Sequence, residues 1–359
     1  MRHGPSLQFA SDKNIFEALI QHKVDNTTLS ALFEKRNTIV SRKTSREKLA
    51  EYFSRLPHDY YDHRTIAQRL GVRAWRERTA SMDVCGDIKT DDVQSILDEI
   101  KHAARLGSDT ISATRNEQNF IIHASYTTID YKKSEFSQLQ HRTGEIELLK
   151  TATGYRIRNT DSEFMNNLRE KLVHKLDSTV EGGIEKVNIS LFDVLTPGLR
   201  TKFFYELING LQGFSRRDVS DIYAFKPKPN KSDSEEELSS DADETHVERV
   251  FLRGNGVTRS KFLLSLTDEN EYYIIKAGWT ATKTVGNGDV YDIEAVFSDP
   301  RDCTGFSFLL KGVYPYQNGR LGKRRPPVMK ELEEISVVIE ERARELSASL
   351  KNDFINGSI

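Results

Sequence analysis

The chain reads as an α+β protein: an N-terminal helical module, then mixed helices and antiparallel strands, closed by a long C-terminal helix. Three observations predict this class. Up to Met82 the apolar residues recur three and four positions apart, the period of a helix face. From Asn119 the period falls to two, with β-branched and aromatic residues alternating against polar ones. From Val328 to Leu350 a single apolar stripe returns at helical spacing. Runs of strands and helices that do not alternate regularly define α+β rather than α/β. With 359 residues there is room for several domains and a substantial buried core.

The first helix is expected over Asn14–Val24, with Ile15, Phe16, Leu19 and Ile20 on one face. Thr27–Leu56 then reads as two short helices around a basic elbow. Leu29, Leu32 and Phe33 form one stripe and Leu49, Tyr52, Phe53 and Leu56 the other, so each can bury the other. Ile39 and Val40 supply a short hydrophobic connection, and Ser41 or Ser45 is placed to cap the second helix. Arg42, Lys43, Arg46 and Lys48 crowd the start of that helix. Unpaired amide protons, the positive end of the helix dipole and four cations within seven residues make an anion site the size of a phosphate.

The order helix, small polar loop, Ser41-Arg42-Lys43, then a helix containing Glu47-Lys48-Leu49 resembles the SAP-type helix-extended-loop-helix modules. The resemblance covers residues 27–56 and implies binding of the DNA backbone with little sequence preference. It departs from the family at Asn37 and Arg42, where glycines are usual.

His58-Asp-Tyr-Tyr-Asp-His63 follows. Its acids are expected to cap a helix starting near Asp62 rather than to hold a metal, because a metal site needs groups converging from fixed elements. Ile66, Ala67 and Leu70, then Gly71 as a stop, look like the first helix and turn of a helix-turn-helix reader, with Arg73, Arg76 and Arg78 on the segment after it. These arginines are expected as auxiliary phosphate contacts, a role that requires no recognition helix. Residues 1–84 form the basic module; up to Met82 there are fifteen Lys or Arg against nine Asp or Glu. The net charge of -2 for the whole chain conceals that segregation.

Residues 85–225 read as an α+β domain. Thr90 or Asp91 caps a helix over Asp92–Leu106 that buries Val93, Ile96, Leu97, Ile100 and Ala104. Strands follow in Asn119–Lys132 and Glu145–Asn159, a helix over Ser162–Leu176, a strand over Lys186–Phe192 and a helix over Pro197–Leu211. Asp109 lies upstream of Asp130-Tyr-Lys132, an arrangement similar to the metal-binding core of restriction-type nucleases. Carboxylates there would hold magnesium while the lysine polarises water or phosphate. This is the enzymatic alternative to a binding protein.

Residues 226–247 hold alternating prolines and then, over Ser232–Glu244, seven acids and no base, the composition of a disordered linker or loop. In 248–359 the runs Val250–Leu252, Phe262–Leu266, Tyr272–Thr282, Val290–Phe297 and Phe306–Tyr314 are expected to be strands of one antiparallel sheet, with a hairpin turn at Gly286-Asn287-Gly288-Asp289. Tyr272, Trp279, Tyr291, Phe306 and Phe308 belong to its core by the preference of aromatics for half-buried strands. Lys323, Arg324 and Arg325 form a second cationic patch. The final helix, with Leu332, Ile335, Val338, Ile339, Ala343 and Leu346 inward, docks on the sheet or on a partner protein or second copy.

Cys85 and Cys303 stand far apart, in neither a disulfide framework nor zinc spacing, which fits a reducing cytoplasm. No window has the apolar length of a membrane span. No phosphate loop, nucleophile elbow or dinucleotide fingerprint appears, and no cofactor or metal is expected. The sequence thus leads to a cytoplasmic, non-enzymatic DNA-binding or sensing component, similar in its motif-free, multidomain character to accessory proteins of prokaryotic anti-phage loci. A metal-dependent nuclease and a scaffold acting through the last helix are the alternatives.

Overall fold

The computed structural model describes residues 10–21, 24–41, 43–70, 77–105, 109–131, 135–228, 247–254, 256–269 and 271–357. The chain is α+β, and it falls into two compact units: Met1–Trp75, Val93–Asn116 and Phe120–Glu145 in one; Arg76–Asp92, Glu117–Asn119 and Ile146–Ile359 in the other.

The first unit starts with helices α1 (Asp12–Leu19), α2 (Asn26–Glu34), α3 (Arg46–Ser54) and α4 (Tyr60–Leu70). Side chains that accept from backbone amides set the starts of the first three. Ser11 accepts from Asn14, Asp25 from Thr28 at 2.7 Å, and Ser45 from Lys48 at 3.4 Å. Their apolar faces meet as expected: Ile15, Leu19, Leu29, Leu32, Phe33, Leu49, Phe53 and Ile66 share one buried cluster. Phe33 and Phe53 meet edge to face with ring centroids 5.3 Å apart, the arrangement their quadrupoles favour. Tyr52, expected in the stripe, is 55% exposed, and Ile39 of the elbow is 97% exposed.

Strand β1 (Thr79–Cys85) comes next, then α5 (Thr90–Arg105), β2 (Thr110–Asn116), β3 (Asn119–Ile129), α6 (Glu135–Gln138) and β4 (Leu139–Lys150). Val93, Ile96, Leu97 and Ile100 of α5 are buried as its periodicity requires. Phe136 of α6 joins the cluster of the first unit.

The second unit is completed by β5 (Gly154–Thr160), α7 (Glu163–Thr179), β6 (Glu185–Asn188), α8 (Pro197–Asn209), β7 (Phe214–Phe225), β8 (Arg249–Arg253), α9 (Lys261–Leu264), β9 (Tyr273–Lys283), β10 (Val290–Asp299), β11 (Thr304–Tyr314), the short hairpin β12 (Tyr316–Gln317) and β13 (Arg320–Leu321), and α10 (Met329–Ile355). From Ile146 onward the strand order is β4-β5-β1-β11-β10-β9-β7-β8. Strand β1 pairs with β5 along one edge; along the other, Thr79 and Ala80 pair with β11 and Met82–Cys85 with β6.

Helices α8 and α10 cover one face of β7–β11. There Phe203, Phe204, Trp279, Phe297, Ile335 and Ile339 lie in one cluster. All five aromatics expected in the core, Tyr272, Trp279, Tyr291, Phe306 and Phe308, are at most 8% exposed. The stripe of α10 is likewise used inside the chain: Ile335, Ile339, Ala343, Leu346 and Leu350 are buried in the same cluster.

One expected strand is helical. Lys261–Leu264 forms α9, followed by a π-helical turn over Ser265–Glu269. Leu263 and Leu266, three apart, are buried, whereas Phe262 and Leu264 stay 54% and 43% exposed. A short unbroken apolar run fits both periods, and here the i,i+3 pair decides.

Candidate nucleic-acid interface

The elbow between α2 and α3 turns at Asn37, whose φ of 54° lies in the left-handed region. Asparagine reaches it more readily than most side chains, because its short amide bonds to the local backbone. Ser41 accepts from the Lys43 amide at 3.2 Å, and Ser45, not Ser41, caps α3.

The four cations of the elbow divide. Lys43 and Lys48 are exposed, and among the described residues neither has an ion-pair partner. Arg46 turns inward: its guanidinium donates to the carbonyl oxygen of Leu19 at 3.1 Å and to that of Gln21, closing the C-terminal end of α1. Arg42 lies outside the described residues.

Behind the elbow, Arg36 is clamped between the Pro57 carbonyl and the Asp62 carboxylate, with its guanidinium 5.1 Å from the Phe53 ring centroid. Asp62 is therefore paired with the Arg36 guanidinium, and among the described residues no three His, Cys, Asp or Glu are grouped to hold a metal. His58 lies 3.2 Å from the Ser54 carbonyl through Nε2, and its ring centroid is 5.1 Å from that of Phe53. Burial, with a contribution from Arg36, pushes the His58 imidazole below its usual value.

Of the auxiliary arginines, Arg73 and Arg76 lie outside the described residues. Arg78 belongs to the second unit and donates to Glu294 Oε1 of β10 at 2.7 Å. In the second cationic patch only Lys323 is without an ion-pair partner among the described residues. Arg324 donates to Asp292 at 2.9 Å, and Arg325 forks onto Glu331 at 2.7 and 2.9 Å. That fork, together with the Val328 amide, holds the Glu331 carboxyl below the usual carboxylate range against the effect of burial.

The nuclease set is only partly placed. Asp109 and Asp130 are half-buried on either side of β2 and β3, the Asp130 amide donates to the Gln138 carbonyl at 2.9 Å, and Lys132 lies outside the described residues.

A separate cleft of about 710 Å³ in the second unit is walled by Phe192, Leu195, Pro197 and Tyr273. Arg200 at its base is spent internally, donating to the carbonyls of Val194 and Arg301 at 2.7 Å. Burial pushes both the Tyr273 phenol and the Cys303 thiol up to about 12, which favours their protonated forms near neutral pH.

Sequence reasoning missed a set of charges on the sheet face opposite α8 and α10: Asp221, Lys276, Asp292, Glu294 and Lys311. The period-two signal at Asp292-Ile293-Glu294 was present but indistinguishable from an ordinary solvated strand face.

No protein-family model matches the chain, and no characterised protein matches it significantly. No described helix is long and apolar enough to cross a membrane.

Proposed function

We propose that the first unit binds nucleic acid through its phosphate backbone and that the protein acts as a binding component. The observation that carries this reading is the pair of exposed lysines, Lys43 and Lys48, flanking the Ser45-capped start of α3 without carboxylate partners among the described residues. Free amides at the helix start and two unneutralised ammonium groups favour an anion there, and a phosphodiester chain supplies several. Arg42 adjoins them in sequence. Arg46 supports the site from behind by fixing α1 to α3.

Duplex and single-stranded DNA titrated across a salt series test the reading. A Lys43→Ala/Lys48→Ala variant is expected to bind more weakly and to lower the slope of log affinity against log salt by about two phosphate contacts, roughly 0.7–0.9 each. An unchanged slope, or no binding by the wild type at low salt, removes the elbow as a contact surface.

A further inference from the structure

The face of the second unit's sheet opposite α8 and α10 carries a network of charges that neither the elbow nor the hydrophobic core explains. Lys311 of β11 stands at its centre, with Nζ 3.6 Å from Asp221, 3.6 Å from Asp292 and 3.5 Å from Glu294. Those distances are ion pairing without close hydrogen bonds, so the three ammonium donors are not committed to the carboxylates around them. The side chain is 21% exposed, and its ammonium has donors left over for a further acceptor on this face.

Other cations surround the same carboxylates. Lys276 lies 3.0 Å from Glu294 and 4.9 Å from the Tyr223 ring centroid, which holds it against the sheet. Arg78 and Arg324 come in from the rim to Glu294 and Asp292, and Arg253, 77% exposed, reaches Asp221 at 3.5 Å. Five cations thus meet three carboxylates, a surplus of two positive charges on a face where the carboxylate side chains are only 11–17% exposed. Burial alone would raise the Glu294 carboxyl, but Arg78 and Lys276 outweigh it and hold it below the usual range.

The backbone accommodates this centre. Gly278 sits in the interior of β9, where glycine weakens a strand relative to alanine. A Cβ there would come within 3.0 Å of Asp221 Oδ2 and 3.2 Å of Lys311 Nζ. The glycine leaves the floor low enough for Asp221 and Lys311 to converge above it.

We infer that this face is a binding site for a phosphate-bearing ligand, with Lys276 and Lys311 as the floor and Arg78, Arg324 and Arg253 as the rim. The carboxylates fix the cations in place, and the surplus positive charge favours a polyanion. Arginine forks at the edge and ammonium donors in the middle suit a chain of phosphates better than a single carboxylate. Either a free polyphosphate or nucleotide, or a nucleic-acid backbone, presents that chemistry.

Calorimetric titration of the whole 359-residue chain with inorganic tripolyphosphate, in about 50 mM salt to limit screening, tests the site. Lys311→Met is expected to weaken binding about ten- to a hundredfold, the loss of charge-assisted hydrogen bonds. Arg324→Ala, at a half-exposed rim position, is expected to weaken it several-fold without affecting folding. A nucleoside triphosphate and an oligonucleotide lacking a terminal phosphate, titrated in parallel, separate the two ligand sources: whichever binds more tightly identifies the source. Because the elbow can also take up phosphate, Lys311→Met is compared with its parent in the Lys43→Ala/Lys48→Ala background: it should still weaken tripolyphosphate binding there, so this site and the elbow stand or fall separately. No heat of binding, equal affinity in the Lys311→Met and Arg324→Ala variants, or stabilisation by magnesium ion alone without phosphate would overturn the proposal.

Discussion

Arg158 of β5 and Glu340 of α10 face each other through two parallel hydrogen bonds, Nε to Oε1 at 2.7 Å and a terminal nitrogen to Oε2 at 3.0 Å. Glu340 is fully buried, and Arg158 turns its remaining fork to Glu147 of β4 at 2.8 Å. Burial acts to lower the guanidinium's proton affinity, yet the two carboxylates outweigh it and raise the Arg158 pKa above its usual value. The pair fixes where the long helix crosses the sheet.

Removing Glu340 leaves the buried Arg158 guanidinium with Glu147 as its one remaining carboxylate and takes a charge partner from Arg344. Glu340→Ala is expected to cost about 3–5 kcal/mol in chemical denaturation. The double change Arg158→Met/Glu340→Leu should cost clearly less than Glu340→Ala alone, because the more deeply buried of the two guanidiniums is removed with its partner and the charges that lose a contact, Glu147 and Arg344, are less buried than Glu340. A double variant as unstable as the single one would mean that packing, not charge pairing, dominates at this crossing.

Arg46 separates support from contact in the first unit. Arg46→Ala removes the donor to the Leu19 and Gln21 carbonyls and should lower stability by about 1–3 kcal/mol. Its salt slope for DNA binding should match the wild type's at a temperature where the variant is folded. A slope reduced as much as that of the lysine variant would place Arg46 among the phosphate contacts after all.

His58 makes the first unit sensitive to acid. Its folded-state pKa is depressed by burial, so the unfolded chain binds the proton more readily. The stability of the neutral form is complete above the unfolded value of about 6.5 and is lost as pH falls through the lower folded value. Thermal melts from neutral pH down to about 5 should show stability falling once the pH drops below the unfolded value of about 6.5. His58→Gln should flatten that slope; if both proteins lose stability in parallel, other groups carry the effect.

Much of the fold was legible where one period was sustained. Leu29, Phe33, Leu49 and Phe53 pack together as their spacing requires, and the aromatics of β9, β10 and β11 are core because a half-buried strand favours them there. The stripe of α10 was equally readable, although the sequence could not say that it would be buried within the same chain. Strand β1 was not legible: Thr79–Cys85 follows an arginine-rich segment and lacks clear alternation, and its place comes from β5, β6 and β11 instead of from its own pattern. Strand β7 was hidden by Arg216, Arg217 and Asp218, charges that suggest a loop, with register shifts near Asp218 and Asp221 breaking its period.

The candidate sites were less legible than the fold, because charge density alone does not reveal pairing. Arg78 and Arg324 read as free cations in sequence, yet Glu294 and Asp292, their partners, lie far along the chain. Lys43 and Lys48 read the same way and stay unpaired among the described residues. Only three-dimensional proximity distinguishes the two cases.

Strand β1 is made early and completed late. During synthesis it emerges well before Phe308 and Ser307, the residues that cover the first part of its second edge. At about 5–20 residues per second the interval is on the order of ten seconds or more, with backbone donors and acceptors exposed on that edge. Strand β5 arrives sooner and can shield one side, so the β1–β5 pair is the natural seed to which β11 is later added. The nascent chain passes through a stage with a half-paired central strand, the kind of surface that chaperones engage and that aggregation exploits.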